Sequence, residues 1–357
     1  MITGNKGEWS ELYTLFYLLG LGKLYAADDN VHRMDNIYFP VLKIMRKKNT
    51  DNVDYELFEG NEIRIFINGK QTASFKKEEF KREAAYLYNA IKLGSNRSFE
   101  IEQTEDFMNK VYCDRLAAPS SDKTDITLQL HDINTGYDPI MGFSIKSELG
   151  NPPTLLNASG ATNFIYEVTG ITEEQARQIN SIETRTKILD RIEAIYNYGG
   201  NIKYTKTANE LFSMNLMLID SMMEDIIAEM LLYSYRTGSV DCKELMKHLD
   251  QENPLGFPRD GFYTFKYKKL LSAIALGMKP SALWDGIDEA NGGYIIVTSD
   301  GDVLAYHLYN RNAFEEYLLK NTKLERGSTD RHGYASIYEE ADSNKMYIKL
   351  NLQIRFK

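Results

Sequence analysis

Asp125, Ser144 and Lys146 are the residues of this 357-residue chain whose types and spacing point most directly to chemistry. Ile126, Leu128 and Leu130 alternate along one face of an extended segment, which turns Asp125 to the opposite face. Met141, Phe143 and Ile145 do the same on a second segment, leaving Ser144 and Lys146 opposite. The Asn134-Thr135-Gly136-Tyr137-Asp138-Pro139 stretch between them is turn-rich, so the two segments read as a hairpin with the three polar side chains on one side. An acid and a lysine brought together in this way can serve phosphodiester hydrolysis. That reaction needs an activated water and neutralisation of a pentacovalent anion, and a carboxylate-held Mg²⁺ contributes to both. Asp125 would be the central ligand, the Ile145 carbonyl a backbone ligand, and Lys146 the group that orients or deprotonates the water.

Glu8 and Glu11 are two further acids whose placement stands out. They fall on the apolar stripe of a helix read over residues 8–19, with Leu12, Leu15, Phe16 and Leu19, which Gly20 and Gly22 are expected to stop. An acid on the packed side of a helix needs a partner or a metal.

The elements that must position these groups suggest an α/β fold. No repeat or low-complexity linker divides the chain, so one large domain is expected, with three differing stretches. Residues 1–170 mix helices and strands. Residues 171–290 are mostly helical, with helices expected near 173–198, 207–236, 241–250 and 266–277. Residues 291–357 return to strands, including a hairpin around Ser299-Asp300-Gly301-Asp302. Met214, Met217, Met222, Met223 and Met230 read as core packing.

Composition narrows the function classes. The N-terminal residues lack the apolar run of a secretory signal, and the most apolar helical stretch, 211–235, carries Asp220, Glu224, Asp225 and Glu229, so a cytoplasmic protein with no membrane role is expected. Cys113 and Cys242 are far apart, which argues against a disulfide framework or structural zinc. The five histidines show no paired spacing. Gly20-Leu21-Gly22-Lys23 is not a P-loop, so no nucleotide cofactor is expected. A net charge of −9 weighs mildly against nucleic acid, although local basic surface can override it. The run Lys266-Tyr267-Lys268-Lys269 is one such place, with a solvated face as its plainer reading. Residues 303–357, with nine Lys/Arg against seven Asp/Glu, are another.

Asp125 followed by a hairpin and Ser144-Ile145-Lys146 resembles the PD-(D/E)xK nuclease signature. Thr124 stands in place of its proline and Ser144 in place of its second acid. Three longer blocks, Asn5-Lys6-Gly7-Glu8-Trp9-Ser10-Glu11-Leu12-Tyr13, Phe143-Ser144-Ile145-Lys146-Ser147 and Leu155 to Phe164, are similar to the HpaII family of type II restriction endonucleases. So are Gly293-Tyr294-Ile295-Ile296-Val297 and Tyr309-Asn310-Arg311-Asn312. The resemblance implies a restriction-endonuclease-like core, a mixed central sheet flanked by helices, and Mg²⁺-dependent cleavage of duplex DNA at CCGG. It also implies a Ser-x-Lys site left one carboxylate short by Ser144, whose acid comes from elsewhere in the chain. Glu11 and Glu8 lead, because a helix packed against the sheet edge brings an acid there in many members of the fold, and Glu167 and Glu148 are the others.

Reading guanine edges calls for bidentate donors. Arg311, Asn310, Arg331 and His332 are candidates in the last stretch, and Ser159, Thr162 and Asn163 are candidates just after the catalytic strand. That second loop reads equally well as a helix cap. A palindromic target favours a homodimer on DNA. Two rivals stay open: a structure-selective or repair nuclease of the same fold, and a DNA-binding module left inactive by Ser144.

Overall fold

Period-two alternation of apolar residues builds the sheets, and the computed structural model describes residues 2–28, 30–48, 50–119, 124–306, 311–340 and 345–357. The described chain falls into two compact units. The first holds Met1–Pro153, Ala275–Gly277 and Asp288–Phe314, and the second Thr154–Ile274, Met278–Ile287 and Glu315–Lys357.

The first unit opens with β1 (Thr3–Gly4) and α1 (Lys6–Leu21), followed by β2 (Lys23–Ala27), β3 (Arg33–Lys48), β4 (Asp51–Phe58), β5 (Glu62–Ile67) and β6 (Lys70–Lys76). Then come α2 (Lys77–Leu93), β7 (Phe99–Glu100), α3 (Glu102–Lys110), β8 (Ile126–Leu130) and β9 (Ile140–Ser147). Its main sheet has nine strands in the order β2-β14-β13-β9-β8-β3-β4-β5-β6, where β13 is Gly293–Val297 and β14 is Val303–Tyr306. The sheet is mixed, since β9 runs parallel to β13 and β14 parallel to β2, while the other neighbours are antiparallel. At sixteen residues β3 is long enough to pair with β2 through its first half and with β8 and β4 through its second.

The hairpin read from the sequence is present, with Ile126 opposite Phe143 and Leu128 opposite Met141. Leu128 and Phe143 are fully buried. From α1, the fully buried Trp9, Leu12, Leu15, Phe16 and Leu19 complete this core, each such side chain worth roughly 1.5–3 kcal/mol relative to exposure.

The helix is started by a capping box, in which Glu8 N–H donates to Asn5 Oδ1 at 3.1 Å and Asn5 N–H to Glu8 Oε2 at 2.7 Å. Gly20 does not stop it. The helix continues to Leu21, and Gly22, at φ +73°, makes the left-handed C-cap. Gly20 serves another purpose, because a Cβ there would lie 2.7 Å from the Lys81 backbone nitrogen in α2.

The second unit contains β10 (Thr154–Leu156), β11 (Asn163–Thr169), α4 (Glu173–Asn180), α5 (Lys187–Asn197), β12 (Asn201–Thr207), α6 (Glu210–Ile219), α7 (Met223–Thr237) and α8 (Cys242–Glu252). It also contains α11 (Thr329–His332) and the strands β15 (Thr322–Leu324), β16 (Ile337–Glu339), β17 (Met346–Asn351) and β18 (Ile354–Phe356). The chain passes between units in α9 (Phe262–Leu276) and α10 (Arg311–Asn321). Its sheets run β12-β11-β17-β16 and β10-β18-β15.

Two of the expected long helices are interrupted. The 173–198 stretch breaks into α4 and α5, and β12, which the sequence pattern did not suggest, follows it. The 207–236 stretch breaks between Ile219 and Met223, where Asp220 caps the turn by accepting from Met222 N–H at 2.9 Å. That break splits the methionine stripe: Met223 and Met230 are fully buried, whereas Met214 and Met217 on α6 are about half exposed. Among the described residues no helix is long and apolar enough to cross a membrane.

Candidate active site

Asp125 stands one residue before β8 and is anchored through its backbone N–H, which donates to the Phe143 carbonyl at 2.9 Å. Its side chain is fixed from the neighbouring strand, with Oδ2 accepting from Ser144 Oγ at 3.0 Å and from Ile145 N–H at 2.6 Å. Ser144 is thus a donor that sets the Asp125 rotamer and supplies no charge of its own. Lys146, two residues on along β9, is half-buried, with its Nζ 5.2 Å from the centroid of the Tyr294 ring on β13. Tyr294 is next to Ser144 in the parallel β9–β13 register.

A second carboxylate near Asp125 comes from α1. Ser10 and Ser147 share a hydroxyl hydrogen bond of 2.8 Å that ties the helix to the end of β9, and the next residue, Glu11, meets the hairpin. Glu11 Oε2 accepts from Ala118 N–H at 3.0 Å. Burial, and then repulsion from Asp125, push the Glu11 carboxyl up to about 8, while the Ala118 bond and the charges of Arg46 and Lys146 pull the other way. Burial lowers Lys146 from the usual lysine range, opposed by the charges of Asp125 and Glu11. Two carboxylates, a serine and a lysine therefore converge from α1, the residue before β8, and β9. The carboxylates and the lysine line two clefts of the first unit, one of about 710 Å³ with Glu11, Ile145 and Lys146 and one of about 510 Å³ with Asp125, Arg46 and Ala118. The Ala118–Glu11 and Ile145–Asp125 hydrogen bonds link the two linings.

This donor set suits a hard divalent cation in kind, because a buried carboxylate raised by a neighbouring carboxylate is relieved by positive charge between them. Among the described residues no cluster of three His, Cys, Asp or Glu side chains surrounds one point, so the protein offers two carboxylates there.

A model of the HpaII restriction endonuclease family matches residues 5–356. The chain is also 38% identical to the type II restriction enzyme HpaII of Haemophilus parainfluenzae, over 99% of its own length and 98% of the relative's. The chain belongs to the HpaII restriction endonuclease family. The match takes in α1, the β8–β9 hairpin and β13, so every element that contributes to the carboxylate site lies within the family's extent. No solved structure matches the chain.

The remaining candidate acids are engaged elsewhere. Glu8, read as a possible metal ligand, closes the capping box of α1 with its carboxylate on Asn5. Glu148 accepts from Ser299 N–H at 3.1 Å, and Glu167, in the second unit, pairs with Lys345 at 3.0 Å.

The expected DNA readers are also redistributed. Thr162 and Asn163 are buried at 0% and 3% exposure, which keeps them from base edges. Ser159 caps a short 3₁₀ turn, its N–H donating to Thr162 Oγ1 at 3.1 Å. Asn351 Nδ2 donates to Ser159 O, Thr162 Oγ1 and Asn163 Oδ1, while Asn163 Nδ2 holds the His332 carbonyl at 2.9 Å. The loop thus ends in a buried capping network at Thr162 and Asn163, one of the two readings its sequence allowed, while Ser159 is half-buried and Asn157 and Gly160 are exposed. Arg331 is exposed on α11 and His332 is half-buried at its end. Arg311 opens α10, where its charge partly offsets the burial that raises the Asp288 carboxyl. Asn310 lies outside the described residues. The basic run Lys266-Tyr267-Lys268-Lys269 is not a solvated face: its lysines pair with Asp220, Glu316 and Glu315, and Tyr267 is fully buried.

Arg46 is a charged neighbour of Glu11 that no sequence signal marks. No motif spacing links it to Asp125, and their proximity follows from the β3–β8 register, in which Met45 faces Thr127.

Proposed function

We propose that this member of the HpaII family cleaves duplex DNA at CCGG through Mg²⁺ held by Asp125 and Glu11, with Lys146 acting on the attacking water. What supports the reading is the placement of Glu11, on the helix tied to the end of β9 by the Ser10–Ser147 bond and held by Ala118 N–H, close enough to Asp125 for the two carboxylates to repel, which would supply the carboxylate Ser144 cannot. The same pairing counts against an inactive DNA-binding module. A restriction-endonuclease-like core is in keeping with the mixed sheet and its flanking helices, and a palindromic target suits two copies of the chain on one site.

Each protein group then has a defined task. Ser144 Oγ and Ile145 N–H fix one oxygen of Asp125, so the carboxylate meets its ligand without reorganisation. Ala118 N–H does the same for Glu11. The Ile145 carbonyl is the backbone candidate for the same ion. When bound, the metal would supply Lewis-acid stabilisation of the phosphate as negative charge builds on it. Lys146, lowered by burial, can hold the water in line and accept its proton, while Tyr294 beneath it restricts where the ammonium can go.

The test is digestion of a plasmid of known sequence by the purified protein. Wild type should give discrete fragments ending at CCGG only when Mg²⁺ is present. Asp125→Ala and Lys146→Ala should each lose at least about 10²-fold in cutting rate while retaining duplex binding. Undiminished cutting by either variant would remove that residue from the mechanism, and cutting confined to branched substrates would favour the structure-selective nuclease.

A further inference from the structure

We infer that the cut strand's phosphate backbone runs along the two clefts to which Glu11 and Asp125 belong, gripped by Lys6 and Arg97 on one side and by Arg46, Lys47 and Arg115 on the other. The inference rests on the nuclease reading above and adds to it the residues that bind the phosphates flanking the cut.

The distribution of charge is the first ground. The chain carries a net charge of −9, yet among the described residues the larger cleft is lined by Lys6, Arg97 and Lys146 against the single acid Glu11. The smaller is lined by Arg46, Lys47 and Arg115 against Asp54 and Asp125. Asp54 shares Lys43, at 3.5 Å, with Glu56, at 2.7 Å, Arg115 is paired with Asp114 at 3.6 Å, and Asp125 belongs to the carboxylate pair. Arg46 and Lys47 are therefore the cations of this cleft without an ion-pair partner among the described residues. An acidic protein that gathers its cations around its acid pair has a surface fitted to a polyanion passing over that pair.

Continuity is the second ground. Glu11 lines the larger cleft, while Ala118, whose N–H holds the Glu11 carboxylate, lines the smaller. The charges of Arg46 and Lys146, one from each cleft, both act on Glu11. The two cations thus flank the acids from opposite clefts, an arrangement that lets a phosphodiester sit over the carboxylates with its neighbours on cationic ground either way. Rigidity is the third. Arg46 Nη2 donates to the Arg115 and Leu116 carbonyls at 3.1 and 3.4 Å, and Arg115 Nη2 donates to the Lys47 carbonyl at 2.6 Å. The second cation group is therefore cross-braced before any strand arrives. In the first cleft Lys6 is steadied on the Lys92 carbonyl at 3.4 Å, and Asn96 and Asn151 add neutral polar groups for phosphate oxygens.

Binding of the full-length protein to a fluorescent 20-base-pair duplex lacking CCGG, in EDTA, should be measured across a series of NaCl concentrations. Each phosphate contact removed lowers the slope of log K against log salt by roughly 0.9. Lys47 and Arg97 are exposed, so Lys47→Gln and Arg97→Gln should leave the fold intact. Each should reduce the slope by roughly 0.9, and the double variant by about twice that. Lys70→Gln, exposed and outside both clefts, should leave it unchanged. Unchanged slopes in the Lys47 and Arg97 variants, with a wild type that still cuts a plasmid into discrete fragments, would overturn this path and leave the nuclease reading standing. A wild type that neither cuts nor binds the duplex would overturn both.

Discussion

The most consequential single residue is Glu11, whose carboxyl is raised from its ordinary 4.5 to about 8 by burial and by Asp125. A carboxyl raised by folding binds its proton more tightly folded than unfolded, so the stability it confers is present at low pH and is lost as pH rises from about 4.5 to about 8. In metal-free protein, Glu11→Gln removes that penalty while keeping an oxygen for the Ala118 N–H. It should therefore raise the unfolding free energy at pH 8 by as much as roughly 3 kcal/mol and flatten its dependence on pH. Denaturant titrations of wild type and variant between pH 5 and 9 measure this, and a variant less stable than wild type across the range would contradict it. Adding Mg²⁺ should reverse the ranking by raising the wild-type Tm more than the variant's. Much of this site was legible in the residues, because strand parity turns Asp125, Ser144 and Lys146 to one face and helical spacing turns Glu11 inward. Arg46 was not legible, since a lysine- and arginine-rich strand end carries no sign of which strand it will lie beside.

Elements were legible where one periodicity ran uninterrupted and illegible where tertiary contact overrode it. The β8–β9 hairpin has its expected register because a one-residue slip would expose Leu128 and Phe143. Gly20 signals a helix stop in a sequence, but α1 runs past it and the glycine instead admits the backbone of α2. Gly20→Ala tests that account. The added methyl would sit 2.7 Å from the Lys81 nitrogen and 2.8 Å from its Cα, neither of which can swing aside as a side chain could. An exposed helix would gain from alanine by helix propensity. Gly20→Ala should instead lower stability by about 2 kcal/mol through displacement of α2, read as a lower midpoint at unchanged denaturant slope. A stabilised variant would show that α1 and α2 are not in close contact. Asn5→Ala, which removes the cap on the same helix, should cost about 1 kcal/mol.

At the scale of the molecule, no linker marks a boundary in the sequence, and the bounds of the three stretches distinguished by pattern differ from those of the two compact units. The reason is that the first unit is discontinuous. Residues 288–314 return to it long after residue 153, and they contribute β13, the parallel neighbour of the strand that carries Lys146. Local periodicity cannot announce a partner strand that arrives some 150 residues later. Tyr294, Ile295, Ile296 and Val297 on β13 are all at most 1% exposed, so the sheet without them would leave one side of β9 unpaired and a sizeable apolar surface in water. A fragment ending at Pro153 contains Asp125, Glu11, Ser144 and Lys146 and, were the unit built from local sequence alone, should fold and bind metal. The topology predicts the contrary. The fragment should lack a cooperative thermal transition and the near-ultraviolet circular dichroism of packed aromatics, and it should gain no Tm from Mg²⁺, whereas the full chain should show all three. A fragment that melts cooperatively and is stabilised by Mg²⁺ would mean that β13 is dispensable to the carboxylate site, and that the support assigned to Tyr294 beneath Lys146 is misplaced.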